Sequence, residues 1–344
     1  MGDFDLNELR VALDDSVGEH LLKTVDLKGM CDVIKSGLVN NIITMVGAGI
    51  STAAGIPDFR SPKSGLYDNL EEYNLPYPTA VFSIDFFEEN PDPFYEVARR
   101  IYRPYAKPTL AHYFCRLLHE KNLLLRHLTQ VTSGQLLICV SQNVDSLERL
   151  AGLPDDKIIE AHGSFNTGHC MKCAKSFDFE FMRVRIMNSE VPKCDAPDCD
   201  GVIKPGMRNI IFFGEALPEK FYSAIVKDFP ACDLLIIMGT SLSVTPFCLL
   251  VNRVRSNVPR LYLNREASPL GFDGIPWDAP ENKRDVFVAG DADDSVLRLS
   301  DLLGWKEELI QMKRKKDAEL DELFAKQSNK SPVKAAQPTP TSKE

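Results

Sequence analysis

The chain has 344 residues, 44% hydrophobic and 26% charged, with a formal net charge of −9. That supplies one large core, or one large and one small, and the acidic balance argues against a general binder of phosphate backbones while suiting basic protein partners. No run of about 18 apolar residues reads as a membrane span. The first twenty residues mix Asp3, Asp5, Glu8, Asp14 and Asp15 with no basic-then-apolar signal, so the expected location is inside the cell.

The first strong element is Asn41–Val46, a short β-branched, apolar run that stops at Gly47. Thr109 to Lys121 reads as a helix, because Leu110, Tyr113, Phe114, Leu117 and Leu118 recur on one face. Three more strands follow: Asp233–Met238, which stops at Gly239, then Pro259–Leu263 and Asp285–Ala289. Strands apolar throughout belong to a sheet covered on both faces. Strand, glycine turn and helix in alternation predict an α/β fold with a doubly wound parallel sheet, Rossmann-like, whose ligands sit at the carboxyl ends of the strands. The stretch from about 162 to 202 breaks that rhythm with cysteines and prolines and reads as a small inserted module. Trp305, Leu309, Met312, Leu320, Leu323 and Phe324 mark a charged helix with a thin apolar stripe, and 327–344, rich in Lys, Ser, Pro, Thr and Ala, reads as a disordered tail. Within it Ser331-Pro332 has the form of a proline-directed kinase site, though a solvated Ser-Pro is the simpler reading.

Nine cysteines fall into two groups. Cys31, Cys115, Cys139, Cys232 and Cys248 lie singly in apolar sequence and, in a reducing compartment, read as small buried hydrophobes. Cys170, Cys173, Cys194 and Cys199 form two close pairs that present four thiolates, a closed tetrahedral set expected to hold a structural zinc. Core cysteines do not cluster in polar sequence such as Pro192–Pro197. A zinc ribbon for nucleic acid is the alternative, and the acidic residues around the second pair count against it.

The loop Gly47-Ala48-Gly49-Ile50-Ser51 is a weak signal alone, since Gly-x-Gly also occurs wherever a tight turn starts a helix. Its continuation, Gly55-Ile56-Pro57-Asp58-Phe59-Arg60, is rigid, aromatic and charged rather than smoothly helical. The expectation is that the Ala48 and Gly49 amides meet a pyrophosphate, with Asp58 and Arg60 beside a second part of the ligand. Together with Ser141–Asp145, Glu160–Ser164, Ile210–Glu215 and Met238–Val244, and with Gly65–Leu70 and Leu75–Pro78, this block resembles the sirtuin family of NAD-dependent protein deacylases, its class I branch in particular, over roughly residues 20 to 310.

That resemblance implies two cofactors, NAD and Zn. Ala48, Gly49, Ser51 and Thr52 would hold the NAD phosphates, and Asp58, Phe59 and Arg60 would close over the nicotinamide ribose. Gln142, Asn143 and Asp145 would take the nicotinamide end, and Gly239, Thr240, Ser241, Val244, Asn264, Arg265 and Ala292 the adenosine end. His162 would be the general base that helps pass acetyl from lysine to ADP-ribose, with Asn143 and Asp145 also catalytic; a histidine suits the role because its ordinary pKa leaves a large neutral fraction at cell pH. Ile211, Phe212, Phe213, Gly214 and Glu215 would pair with the substrate as an added strand, Phe213 walling the lysine tunnel. The bland reading of Phe212 and Phe213 as core also stands, because alternate strand residues face inward. Implied partners are acetylated-lysine proteins such as histone tails or tubulin, with no specific nucleic acid, no membrane, a monomeric state, and a cytoplasmic location with passage to the nucleus. Implied boundaries are an extension at 1–20, a catalytic domain at 21–305, a helix at 306–326 and the tail. Within the domain, 21–60, 101–161 and 203–305 would be Rossmann-like, 61–100 the cofactor loop and helical module, and 162–202 the zinc module.

The sequence departs from the family at three places. Twelve residues, Val131 to Gln142, intervene before Asn143, such as an in-frame retained intron would encode, so either Gln130 or Gln142 could stand before Asn143. Gln135–Val140 is itself a good buried-strand run, and the expectation is that it replaces Leu123–Leu128 in the sheet. Gly206-Met207-Arg208 reads as a small insertion ahead of the peptide-binding edge, and Ala292 stands where relatives often carry cysteine. A catalytically impaired isoform acting as a scaffold, or a mono-ADP-ribosyltransferase, would show the same motifs.

Overall fold

The computed structural model describes residues 20–58, 65, 75–101, 105–130, 147–161, 168–188, 190–205, 212–213, 215, 217–267 and 275–328. Among these residues six strands form the main sheet: β1 (Ile42–Val46), β2 (Leu124–Thr129), β3 (Ile158–Glu160), β7 (Leu234–Met238), β8 (Arg260–Asn264) and β9 (Asp285–Ala289). Their order is β3-β2-β1-β7-β8-β9 and every pairing is parallel. The apolar runs at 41–46 and 233–238 become β1 and β7, the two central strands, buried along their whole length.

The period of two sorts each strand between two cores. Ile42 and Val46 face one layer, which is completed by α1 (Leu27–Lys35), α4 (Leu110–Glu120), α5 (Leu147–Ala151), α8 (Ala292–Leu303) and α9 (Lys306–Ser328). Ile43 and Met45 face the other, with α7 (Glu219–Lys227) and the short turns around Phe229 and Phe247. The predicted helix is α4; Thr109 caps it, and Asp293 of α8 accepts from the Leu110 and Ala111 amides at 3.2 and 2.9 Å, satisfying donors that a helix start leaves bare. Cys31, Cys115, Cys232 and Cys248 are buried free thiols, as expected; Cys139 lies outside the described residues.

A smaller body holds α2 (Ile84–Glu89), α3 (Asp92–Ile101), the strands β4 (Gly168–Cys170), β5 (Ser176–Phe177) and β6 (Ile203–Pro205), and α6 (Phe179–Met187). The three strands form an antiparallel sheet of order β5-β4-β6. Its core joins Phe87, Phe94 and Tyr95 to Cys170, Phe177, Met182 and Phe212.

One expectation is overturned. Residues 124–129, and not Gln135–Val140, form the strand between β1 and β3, in register Val46↔Thr129 and Thr129↔Glu160. The reason is chemical fit. His127 puts a polar ring into the core, and there it meets the Thr44 hydroxyl of the neighbouring strand at 2.7 Å and the Glu148 carboxylate of α5 at 3.6 Å. An all-apolar run would leave Thr44 and Glu148 buried without partners. Residues 131–146 lie outside the described residues.

Candidate active site and metal centre

The sheet reverses its strand order at β1, with β2 on one side and β7 on the other, and an open α/β sheet binds ligands at such a switch point. Three strand ends are tied together there. The Gly47 amide donates to the Met238 carbonyl at 3.0 Å, the Gly49 amide to the Gly239 carbonyl at 2.8 Å, and the Gln130 amide to the Val46 carbonyl at 2.8 Å. The Thr240 hydroxyl donates to Gln130 Oε1 at 2.7 Å and accepts from the Leu242 amide, which holds Leu242 at φ +51. Gln130 thus stands at the mouth of the crevice, at the end of β2.

The glycines are required by this crossing. A Cβ on Gly47 would lie 2.6 Å from Thr240 Cβ, and one on Gly49 would lie 2.8 Å from the Gly239 backbone; Gly239 itself sits at φ +58. The Gly49 amide is thus engaged with the Gly239 carbonyl in the crossing. The fit to a nucleotide rests on other groups. Ser51, in the short helix Ala48–Ala54 that opens from the loop, is fully buried and its hydroxyl has no partner among the described residues, a donor held for a ligand. Thr52 turns its hydroxyl to the Gly49 carbonyl at 3.0 Å. The Ser241 and Ser243 hydroxyls meet at 2.7 Å beyond β7, and Asn264 at the end of β8 donates to the Tyr262 hydroxyl at 2.8 Å. Arg265 pairs with Asp291, the cap of α8, next to Ala292, and the Asp58 carboxylate lies within its field. Because all six strands are parallel, these residues share one edge of the sheet, and Val244, whose carbonyl accepts from the Cys248 amide at 3.0 Å, follows on the same loop.

Beneath the crevice lies a buried ionic cluster that the sequence did not announce. His127 and Glu148 face each other at 3.6 Å, an ionic contact rather than a hydrogen bond, with His112 of α4 close by. The Thr109 hydroxyl reaches the Ile50 carbonyl at 2.7 Å and His112 Nδ1 at 2.8 Å, so the glycine loop rests on this cluster. Burial pushes Glu148 up, but contact with His127 and the fields of His112 and His127 outweigh it and hold the carboxyl down at about 2. Burial pushes His127 down, and contact with Cys115 and Glu148 raises it to about 10.

The four predicted metal ligands converge. Cys170 and Cys199 sulfurs are 3.5 Å apart, Cys173 and Cys194 are 3.6 Å apart, and all four lie within 4.8 Å of one another. A tetrahedron with Zn–S bonds of about 2.3 Å has edges of roughly 3.8 Å, so the set fits zinc. The Cys170 sulfur accepts from the Lys172 and Cys173 amides and the Cys194 sulfur from the Ala196 amide, contacts that favour thiolates. With four protein ligands no position is left for substrate, and the centre is structural.

At the predicted peptide-binding edge, Phe212 is buried with its ring 5.0 Å from those of both Phe87 and Phe94, whereas Phe213 is 45% exposed. The Phe213 amide donates to the Phe82 carbonyl at 2.8 Å and its carbonyl accepts from Ile84 at 3.3 Å, while the Phe212 amide donates to Glu215 Oε2 at 2.8 Å. The other predicted residues, Phe59, Arg60, Gln142, Asn143, Asp145, His162, Ile211 and Gly214, lie outside the described residues; in sequence, β2 and α5 bracket Gln142, Asn143 and Asp145, and β3 and β4 bracket His162.

A parallel sheet with a glycine-lined switch point and an adjoining tetrathiolate module defines a nucleotide-binding α/β protein with a structural metal. The chain belongs to the Sir2 family, whose model matches residues 47–246. It is 44% identical to the NAD-dependent protein deacetylase sirtuin-2 of Danio rerio over 98% of this chain and 90% of that protein. It is 45% identical to the NAD-dependent protein deacetylase hst2 of Schizosaccharomyces pombe over 85% of this chain and 80% of that protein. With the NAD-dependent protein deacetylase sirtuin-3 of Mus musculus it shares 43% identity over 87% of the chain and 82% of the relative.

Proposed function

We propose that this chain is an NAD-dependent protein lysine deacetylase. The observation that carries the reading is the crossing of Gly47 and Gly49 with Gly239 and Thr240 at the switch point of a Sir2-family chain, beside the unpartnered Ser51 hydroxyl. NAD, when bound, supplies the ADP-ribose that accepts the acetyl group. The strand ends carrying Ala48 to Thr52 would hold its phosphates, and Gly239 to Val244, Asn264, Arg265 and Ala292 its adenosine end. Asn143 and Asp145 would orient the nicotinamide side, and His162, set just beyond β3, would take a proton from a ribose hydroxyl. Cys170, Cys173, Cys194 and Cys199 would keep zinc as the pin of the smaller body.

The proposed substrates are acetylated-lysine tails of basic proteins, histones and tubulin among them, which suits the net charge of −9. A monomer acting in the cytoplasm and passing to the nucleus is part of the same reading. The test is incubation of the purified chain with an acetyl-lysine peptide and NAD, followed by mass analysis. Free lysine peptide and O-acetyl-ADP-ribose are expected; no turnover together with no NAD binding would overturn the reading, and ADP-ribose attached to protein would point to transfer instead.

A further inference from the structure

Lys204 is a lysine with little access to water: its side chain is 5% exposed, on β6 of the smaller body. Its ammonium lies 2.5 Å from both carboxylate oxygens of Glu215 and 5.0 Å from the centre of the Phe212 ring. Glu215 Oε2 in turn accepts from the Phe212 amide at 2.8 Å, and the Glu215 amide closes the turn onto the Phe212 carbonyl at 3.0 Å. A buried lysine with a two-pronged carboxylate and an aromatic face is held in one geometry. The chain between 205 and 212 contains Gly206-Met207-Arg208, and the pair joins residues on either side of that span.

The two ends of the bridge differ in kind. On one side β6 pairs with β4 in register His169↔Lys204 and Cys170↔Ile203, and the Tyr95 hydroxyl donates to the Ile203 carbonyl at 2.5 Å. On the other, Phe212 is packed in the aromatic core and Phe213, bonded through its backbone to Phe82 and Ile84, projects outward. We propose that Lys204 and Glu215 are positioning residues for acyl-lysine binding: the pair fixes the Phe212–Glu215 turn from the cysteine module and so sets where Phe213 stands. The inference rests on the deacetylase reading, because Phe213 is the wall that the acyl-lysine would meet. Neither residue touches the reacting atoms. The pair acts on peptide affinity and leaves NAD affinity and the chemical step alone.

The experiment compares wild type, Lys204→Met, Lys204→Arg and Glu215→Gln, each checked for bound zinc, in turnover of an acetyl-lysine peptide with NAD and in amide hydrogen exchange. Lys204→Met and Glu215→Gln should raise the peptide KM roughly tenfold, with kcat and the KM for NAD within about twofold, and Lys204→Arg should recover most of the loss. The Phe212 amide should exchange about tenfold faster in Lys204→Met. Glu215→Gln keeps an acceptor for that amide and removes only the charge, which serves if Lys204→Met does not fold. An unchanged peptide KM in the variants, or peptide and NAD constants rising together, would overturn the positioning role. If the wild type failed to turn over the peptide, the deacetylase reading would fall, and Phe212 exchange would still decide the clamp: equal rates in wild type and variant would dismiss it.

Discussion

At the scale of single residues, the glycines of the crossing and the proposed base His162 make different kinds of prediction. Gly49 is needed because a side chain would collide with backbone, which has nowhere to go, unlike the tip of a flexible side chain. Gly49→Ala should push apart the β1 and β7 loops and cost about 2 kcal/mol of stability, with an NAD affinity lowered at least roughly tenfold. Thermal melts and isothermal titration with NAD measure both; unchanged NAD affinity would show that the crossing does not shape the nucleotide site. His162→Ala, by contrast, should leave the melting temperature and NAD binding unmoved while kcat falls by about 10²–10⁴, the range of a lost general base. A melting temperature that fell with it would assign the histidine a structural part.

At the scale of elements, β2 and the cysteine module make separate predictions. β2 ends at Thr129, the next residue, Gln130, is bonded to Val46 and Thr240, and α5 begins at Leu147, so the six strands among the described residues pair with one another without drawing on Val131–Gln142. Deleting those twelve residues should bring Asn143 directly after Gln130, keep the melting temperature at or above that of the wild type, and raise kcat. A variant that lost its fold would show that the segment contributes structure. For the metal, Cys194→Ser should reduce zinc from one to well under one per chain, because a structural site holds its module through all four ligands. The β4–β6 sheet should then become open to protease while the main sheet stays resistant; intact zinc content by elemental analysis would contradict this.

At the scale of the whole molecule, the buried cluster links stability to pH. Glu148 is held at about 2, below its ordinary 4.5, so its contribution is fully present above pH 4.5 and is lost as pH falls through about 2. His127 is raised from 6.5 to about 10, so its contribution is fully present below pH 6.5 and is lost as pH rises through about 10. His112 is lowered to about 4, chiefly by burial, so folding with it neutral loses ground as pH falls from 6.5 toward 4. The melting temperature should therefore peak close to pH 6.5. Glu148→Gln, by leaving His127 buried beside no charge, should cost about 3 kcal/mol and flatten the alkaline limb; parallel pH curves for variant and wild type would dissociate the cluster from that limb.

Much of this molecule was legible from its residues. β1, β7, β8 and β9 announce themselves because strands covered on both faces must be apolar along their length, and Cys170 to Cys199 because thiolates in polar sequence have few other uses. The glycine loop was legible as a turn from strand into helix, but the crossing of Gly49 with Gly239 was not, since the two lie 190 residues apart. β2 was misjudged for the same reason: Leu124–Thr129, with Arg126 and His127, looks less like a buried strand than Gln135–Val140 does, and only the long-range company of Thr44 and Glu148 makes it the better one. Lys204 reads as a surface lysine until Glu215 and Phe212 are brought around it. The sequence alone determined the family, the apolar strands β1, β7, β8 and β9 and the metal ligands, because those follow from local pattern and residue chemistry. The tertiary structure decided which strand fills the sheet and which charges are buried together, because those choices depend on partners far apart in the chain.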